Sequence, residues 1–215
     1  MERACRPKIL IAEDHTLVAE ACMKLLEDEY NVVGHIRDGL ALIAAIPKLL
    51  PDVILVDISM PLLNGLDAVE ESRKLKLNHK VVFMTMNDDV GLAAEAFRRG
   101  ASGYLLKTSA ASDLLVALKT VLSGKQYLSA HFGQDSLELK LANKETTPLP
   151  GALTSRQKQV LQLLVEGRTM KEAARILNLK PRTIAFHKYR IMEVLHIKNY
   201  TGLVQYAMRE RIIMN

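Results

Sequence analysis

The sequence predicts an α/β domain with a five-stranded, doubly wound parallel sheet, followed by a small all-α domain of four helices. Short apolar runs alternate with amphipathic segments in the first part of the chain, as in repeated βα units. A polar stretch punctuated by Pro148–Gly151 comes next, and only helical patterns follow it. We therefore expect domains at 1–124 and 153–215, joined by a linker at 125–152 with one short helix around Asp135–Ala142.

Five runs rich in Val, Ile and Leu predict the strands of the sheet. Apolar residues occupy both faces of these runs, as expected for parallel strands covered by helices on both sides. The runs lie at 8–12, 31–36, 52–56, 80–84 and 103–107. Between and after them, amphipathic segments near 15–28, 38–49, 65–78, 88–100 and 109–124 predict the covering helices.

Signals for helix starts predict the all-α domain. Thr154–Gln157 and Thr169–Glu172 both fit the capping-box pattern that begins a helix. Pro181 suits the first turn of a third helix, and a fourth is expected at about 199–212. The second and third helices, joined by a turn around 178–180, form the pattern of a helix-turn-helix.

Composition limits the class of protein. The chain is 49% hydrophobic and 25% charged, which is typical of a globular protein. No apolar run approaches the roughly 20 residues that cross a bilayer, and the amino terminus does not look like a signal peptide. Cys5 and Cys22 form neither a metal-binding pattern nor a disulfide framework, so we expect inert thiols in a reducing cytoplasm.

Charge is unevenly distributed along the chain. Residues 151–215 contain 12 Lys and Arg against 4 Asp and Glu, a net charge of +8, whereas residues 1–125 have a net charge of −2. A basic domain on a mildly acidic body favours a polyanionic partner for that domain. A solvated basic face without a partner would give the same count.

Polar residues follow the predicted strands and would meet at one edge of the sheet. Glu13 and Asp14 follow the first strand, Asp57 the third, Thr85 the fourth and Lys107 the fifth. Clustered carboxylates repel one another unless a cation joins them, and an oxygen-rich site suits Mg²⁺. With a lysine and a hydroxyl beside them, they indicate phosphoryl transfer to a carboxylate. Any one of these acids alone is more simply a turn or helix-cap residue.

Residues 8–124 resemble the receiver domain of two-component response regulators. The resemblance implies a flavodoxin-like sheet and a phospho-acceptor site. Its motifs are Glu13–Asp14–His15, Asp57 in ILVDISMPLLNG, Thr85 in VVFMTM, and Tyr104 with Lys107 in GYLLK.

The same resemblance implies roles for individual residues. Asp57 would accept the phosphoryl group. Asp14 and Asp57 would ligate Mg²⁺ directly, together with the backbone carbonyl of Ser59, and Glu13 would act through water. The protein would then be a switch, not an enzyme with an external product.

Three further receiver positions concern the response to phosphorylation. Lys107 would pair with the phosphoryl group, and Thr85 and Tyr104 would form a switch pair in which the hydroxyl and the ring move inward. Thr108 stands where many receivers have proline after a cis peptide bond. A cis bond before a residue other than proline costs about 2.5–4 kcal/mol, so the sequence leaves the geometry of this loop open, and the assignment of Asp57 does not depend on it.

Residues 153–207 resemble the LuxR-type DNA-binding domain of the NarL/FixJ family. The matching stretches are LTSRQKQVL, the helix at 167–177, and PRTIAFHKYRIMEVL. The resemblance implies binding of a homodimer to an inverted repeat in double-stranded DNA. The third helix would enter the major groove, and the last would pair the two domains.

The third helix of this domain contains the candidate DNA contacts. By position, Ala185, Phe186 and Tyr189 would face base edges, so apolar contacts or DNA shape would supply much of the specificity. Lys180 departs from the family, which commonly has serine before this proline. The candidate backbone contacts are Lys180, Arg182, Thr183 and Lys188, and His187 and Arg190 are further donors.

Together, the residues and the two resemblances favour a transcription regulator switched by phosphorylation of Asp57, and the resemblance to receivers implies a sensor histidine kinase as its phosphoryl donor. One alternative is a phosphatase working through an aspartyl phosphate, but such enzymes commonly have a second acid two residues after the nucleophile, where this chain has Ser59. Another is a DNA-binding regulator that works independently of phosphorylation, its receiver serving as a dimerisation module.

Overall fold

The chain divides into two compact units, Met1–Lys144 and Glu145–Asn215. The structure is a computed structural model and describes residues 6–109, 111–132 and 153–213. The short helix predicted around Asp135–Ala142 therefore lies outside the described residues. Among the described residues, no helix is both long enough and apolar enough to cross a membrane.

The first unit is built on one parallel sheet with the strand order β2-β1-β3-β4-β5-β6. The five predicted strands are confirmed, each within one residue of its expected limits. The sixth was not predicted, because two residues are too short to show a strand pattern. The strands are β1 (Lys8–Ala12), β2 (Asn31–Ile36), β3 (Val53–Asp57), β4 (Lys80–Thr85), β5 (Gly103–Leu106) and β6 (Tyr127–Leu128).

Five helices alternate with the strands, which confirms the doubly wound fold. Side chains of α1 and α5 share one core with alternate residues of the strands, such as Ile9, Leu55 and Val82. The intervening strand residues, such as Leu10 and Ile54, are fully buried too, so the sheet is covered on both faces. The helices are α1 (Thr16–Leu26), α2 (Gly39–Leu49), α3 (Gly65–Arg73), α4 (Val90–Arg98) and α5 (Ala111–Leu122).

The helix limits differ most from prediction at the end of α3. The expected range was 65–78, but the helix ends at Arg73. Turns follow, and Lys76 has a positive φ of 53°. The segment Lys74–Lys80 is mostly polar and half-exposed or exposed, so burial does not hold it in helical form.

Between residues 153 and 213, the described part of the second unit contains four helices, as predicted. They are α6 (Ser155–Val165), α7 (Met170–Ile176), α8 (Pro181–Val194) and α9 (Tyr200–Arg209). Both predicted capping boxes are present: Thr154 with Gln157 begins α6, and Thr169 with Glu172 begins α7. Val160, Ala173, Ile184 and Leu203 are all fully buried, so each of the four helices contributes to this core.

The tight turn between β3 and α3 depends on Gly65. Its backbone amide donates to the carbonyl oxygen of Ile58 at 2.8 Å. A Cβ atom at this position would lie 2.1 Å from the carbonyl oxygen of Asp57, the last residue of β3. The absence of a side chain at Gly65 thus lets the chain turn directly under Asp57.

We predict that Gly65→Ala lowers the free energy of unfolding by about 1–3 kcal/mol or more, because rigid backbone must shift to admit the methyl group. Denaturant unfolding measures the change. Gly34→Ala is the matched control, since its Cβ would meet only the ends of two leucine side chains, at 3.1 and 3.2 Å. Equal stabilities of the two variants would contradict the role given to Gly65.

Candidate functional site

A buried acidic cluster lies at the carboxyl edge of the sheet. Glu13 directly follows β1 and is fully buried, and Asp57 ends β3 and is 2% exposed. Because β1 and β3 are hydrogen-bonded neighbours, their ends bring the two acids together. Four side chains each offer one possible ligand atom, and these atoms all lie within 4.8 Å of one another; the residues are Glu13, Asp14, His15 and Asp57.

Lys107 joins the two buried carboxylates. It follows β5, and its Nζ lies 2.7 Å from Oε2 of Glu13 and 2.9 Å from Oδ2 of Asp57. Burial lowers the pKa of the Lys107 ammonium, but the Asp57 and Glu13 carboxylates outweigh that effect and hold its pKa above the ordinary value for lysine. Lys107 is therefore charged at neutral pH.

The donor atoms of the cluster fit a hard divalent cation. Oε2 of Glu13 and Oδ1 of Asp14 are shielded from solvent; they lie close to Lys107 and His15 as ion-pair neighbours, but neither accepts a hydrogen bond of good geometry within the described part of the chain. Carboxylate oxygens at such spacing are the ligands that Mg²⁺ prefers. Ser59, whose carbonyl is the other predicted ligand, lies in an exposed bend two residues beyond Asp57.

His15 belongs to the cluster, although sequence reasoning gave it no role. Its Nδ1 lies 3.1 Å from Oε1 of Glu13 and 3.0 Å from Oδ1 of Asp14, and its side chain is 67% exposed. Its position directly after two acids was the available signal. A ring nitrogen there would stand beside any cation that Glu13 and Asp14 hold.

Thr85 and Tyr104 are linked to the same loop residue, Asn87. The hydroxyl of Thr85 accepts a hydrogen bond from the backbone amide of Asn87 at 3.1 Å. The hydroxyl of Tyr104 donates to the backbone carbonyl of Asn87 at 3.2 Å. Both side chains are buried, at 1% and 0% exposure, so the ring of Tyr104 is already inside the protein.

The peptide bond after Lys107 is trans, since no described residue has a cis bond. The backbone amide of Lys107 donates to the carbonyl of Thr85 at 2.8 Å, and that of Ser109 donates to the carbonyl of Leu106 at 3.0 Å. These bonds fold the loop tightly after β5 without a proline at Thr108.

Cys22 is a buried thiol outside the acidic cluster, although the charges of Glu13 and Lys107 act on its pKa in opposite directions. Cys22 lies 4.0 Å from the sulfur of Met84, and burial raises the pKa of its thiol to about 11. The thiol is therefore protonated at neutral pH, as expected for an inert cysteine. Cys5 lies outside the described residues.

Helix α8 in the second unit has one buried and one exposed side. Ile184 and Ile191 are buried in the core. Phe186 and Tyr189 lie on the other side, and each is 65% exposed, which is unusual for large aromatic side chains. Among the other candidates Lys180, Arg182 and Arg190 are exposed, and Thr183, Ala185, His187 and Lys188 are half-exposed.

The polar contacts of α8 leave much of its exposed side accessible to a partner. Lys180 caps α8 without a side-chain hydrogen bond, as the sequence suggested, and Pro181 occupies the first turn. The Nζ of Lys188 lies 5.9 Å from the centre of the Tyr189 ring. Arg190 forms an exposed ion pair with Glu193 at 2.6 Å, which contributes little stability.

Comparison with known proteins identifies both units. Residues 9–119 match the family described as response regulator receiver domain, and residues 151–207 match bacterial regulatory proteins of the luxR family. The response regulator UvrY of Escherichia coli is 28% identical over 203 residues, covering 94% of this chain and 93% of that protein. The transcriptional regulatory protein MctR of Rhizobium johnstonii is 32% identical over 212 residues, covering 97% of each chain.

A solved structure shows a similar arrangement of elements. The structure of two RcsB dimers bound to two parallel DNAs matches with a TM-score of 0.56 and 28% identity, covering 94% of this chain and 97% of that chain. The likeness extends over both units and is not limited to the receiver.

We predict that Asp14→Asn lowers the affinity for Mg²⁺ at least about tenfold, because it removes a charged oxygen ligand, and lost supporting contacts alone cost about 10–100-fold. Titration calorimetry with MgCl₂ measures the affinity. Asp28→Asn is the control, since Asp28 is exposed and outside the cluster. An unchanged affinity in Asp14→Asn would show that the cluster does not bind the ion.

Proposed function

The chain belongs to the response regulators that join a receiver domain to a LuxR-type DNA-binding domain, and on this premise we propose that phosphorylation of Asp57 controls its binding to DNA. The observation that supports this most strongly is the buried Asp57 carboxylate paired with Lys107 beside two further acids. We assign the receiver to 1–124, the linker to 125–152, within which β6 rejoins the sheet, and the DNA-binding domain to 153–215.

In the proposed reaction, a carboxylate oxygen of Asp57 attacks the phosphorus of a phosphohistidine. The phosphorus–nitrogen bond breaks, its electron pair stays with the imidazole nitrogen, which takes up a proton, and an acyl phosphate forms on Asp57. Asp14, Asp57 and the backbone carbonyl of Ser59 would hold Mg²⁺, with Glu13 acting through water, and the bound ion would supply positive charge beside the phosphoryl oxygens.

The neighbouring residues would stabilise the product. Lys107 is held within 2.9 Å of Asp57 and would pair with the new phosphoryl group. Thr85 now accepts a hydrogen bond from Asn87, so its own hydroxyl hydrogen remains to be donated to a phosphoryl oxygen. Contacts made only in the phosphorylated state are what shift a two-state equilibrium.

DNA binding would occur through α8. Its exposed basic residues would contact phosphates, and the net charge of +8 on residues 151–215 would attract the DNA. Leu203 and Ala207 of α9 are buried, whereas Met208 is 38% exposed and leaves an apolar group on the outer side of this helix. We propose that α9 pairs two domains on an inverted repeat, and that the protein acts in the cytoplasm.

Genomic selection tests the function as a whole. We predict that the purified protein enriches discrete fragments mainly when beryllofluoride and Mg²⁺ are present to imitate phosphorylated Asp57, and that Asp57→Asn abolishes this dependence. Sequencing of the bound fragments provides the measurement. Equal enrichment with and without beryllofluoride would favour the alternative, a DNA-binding regulator that works independently of phosphorylation.

Beside the acidic cluster, the receiver has an exposed apolar surface that a phosphoryl-donating protein could contact. An open cavity of about 960 Å³ has His15 and Lys107 in its lining, together with mostly apolar residues that include Leu17 and Met86. Leu17 is 81% exposed and Met86 is 68% exposed. We propose that the phosphohistidine-bearing helices of a sensor histidine kinase cover these side chains during transfer.

We predict that Leu17→Asp slows phosphorylation at least about tenfold with a histidine kinase, by placing a charge in the apolar contact. The kinase of the same genome that phosphorylates the wild type fastest is the probe. Transfer of labelled phosphate measures the rate, and acetyl phosphate, which needs no protein contact, should phosphorylate both proteins equally. Equal rates of phosphorylation of the wild type and Leu17→Asp by the kinase would show that the kinase does not bind this surface.

Phe186 and Tyr189 offer apolar groups to the thymine methyls of the major groove. We predict that replacing one thymine of a selected site with deoxyuridine weakens wild-type binding roughly fourfold, since burying one carbon group contributes about 0.8 kcal/mol. Phe186→Ala should lose this sensitivity, whereas Lys188→Ala should weaken binding to both DNAs equally. If no thymine-to-deoxyuridine replacement weakens DNA binding by the wild type, apolar contacts do not contribute to base recognition.

A further inference from the structure

The segment that follows α5 returns to the sheet and lies against the switch residues. The amide of Tyr127 donates to the carbonyl of Ser102 at 3.0 Å, and that of Ser129 donates to the carbonyl of Tyr104 at 2.9 Å. The segment Tyr127–Phe132, which we call the output segment, therefore pairs with the strand that carries Tyr104. It is also the last described part of the first unit before the linker continues.

Phe132 packs directly on the Tyr104 ring. The two ring centres are 5.4 Å apart and the planes meet at 82°, the edge-to-face geometry that aromatic pairs favour. Phe132 is 4% exposed, so the contact is shielded from water. Phe132 thus contacts the ring of Tyr104, and the carbonyl of Asn87 accepts a hydrogen bond from its hydroxyl.

A second contact joins the output segment to the loop that follows Lys107. The hydroxyl of Ser129 lies 2.8 Å from that of Ser109, and Ser129 is 1% exposed. A third pair, His131 and Asp88, is 3.6 Å apart and well exposed, so it contributes little. The buried contacts therefore connect the output segment to β5 and to the loop carrying Lys107.

These contacts form a continuous series from Thr85, whose backbone carbonyl accepts a hydrogen bond from the amide of Lys107 at 2.8 Å, to the output segment. Thr85 is hydrogen-bonded to Asn87, Asn87 to Tyr104, and Tyr104 packs on Phe132. Because packed interiors do not deform continuously, a displacement of Tyr104 requires Phe132 to follow or a void to open.

We propose that Phe132 is the residue that transmits the state of Asp57 to the linker, by following the position of Tyr104. The inference rests on the proposed function and adds the route by which the receiver addresses the DNA-binding domain. Phe132 belongs neither to the acidic cluster nor to α8, so it would act as a positioning residue. Its loss should uncouple phosphorylation from DNA binding without preventing either.

A tryptophan reporter tests the contact in the full-length protein. The chain has no tryptophan, so Phe132→Trp introduces a single fluorophore against the Tyr104 ring. We expect its emission to change on addition of beryllofluoride and Mg²⁺, and to stay constant in Phe132→Trp combined with Asp57→Asn. Tyr30→Trp is the matched control: Tyr30 is buried, but it precedes β2 at the opposite edge of the sheet and should not respond.

Coupling is measured as the ratio of DNA affinities with and without beryllofluoride. Phe132→Ala should lower this ratio at least fivefold relative to wild type, while ¹⁹F resonances still show bound beryllofluoride. Phe132→Leu should restore part of the ratio, and Ala130→Ser, an exposed position in the same segment, should leave it unchanged.

The outcomes separate the inference from the function on which it rests. Bound beryllofluoride and an undiminished affinity ratio in Phe132→Ala would overturn the role of Phe132 and leave the function standing. A wild type that binds beryllofluoride without any change in DNA affinity would overturn the proposed function and the inference together.

Discussion

The ion pair of Lys107 with Glu13 and Asp57 is the constraint on which the phosphorylation site depends. Each buried carboxylate loses hydration worth several kcal/mol, and two adjacent carboxylates also repel one another. One ammonium at 2.7 and 2.9 Å offsets both effects, which places the end of β5 against the ends of β1 and β3. Counted formally, the three carboxylates of Glu13, Asp14 and Asp57 and the ammonium of Lys107 sum to −2, which a divalent cation balances.

Because Lys107 and a divalent cation would balance the charges of the carboxylates, a new charge at Asp57 would change the contacts of the surrounding loops. A phosphoryl group adds about −1.5 to −2 charge and three acceptor oxygens, so it competes for Lys107 and attracts the Thr85 hydroxyl. Thr85 and Tyr104 share Asn87 as a hydrogen-bond partner, and Tyr104 is packed against Phe132. A change in charge at Asp57 can thereby be converted into a change in packing at the point where the chain leaves the receiver.

Features that depend on local sequence pattern could be predicted from the sequence. Features that form only through contacts with distant residues could not. The five long strands, the capping boxes at Thr154 and Thr169, and the position of Asp57 follow from periodicity and spacing. β6 was missed because Tyr127 and Leu128 form a strand only through pairing with β5. The ring contact of Phe132 escaped prediction for the same reason, since a lone aromatic in a polar stretch gives no sign of its partner.

Chemical trapping of the acyl phosphate shows directly whether Asp57 is the residue that is phosphorylated. The protein is incubated with acetyl phosphate and Mg²⁺ and then reduced with borohydride, which converts a phosphorylated aspartate to homoserine, and the peptides are analysed by mass spectrometry. We expect homoserine at position 57 alone, and its loss from Lys107→Met at matched times and concentrations. Conversion at another acid, or no conversion while the protein still binds Mg²⁺, would contradict the phosphorylation of Asp57.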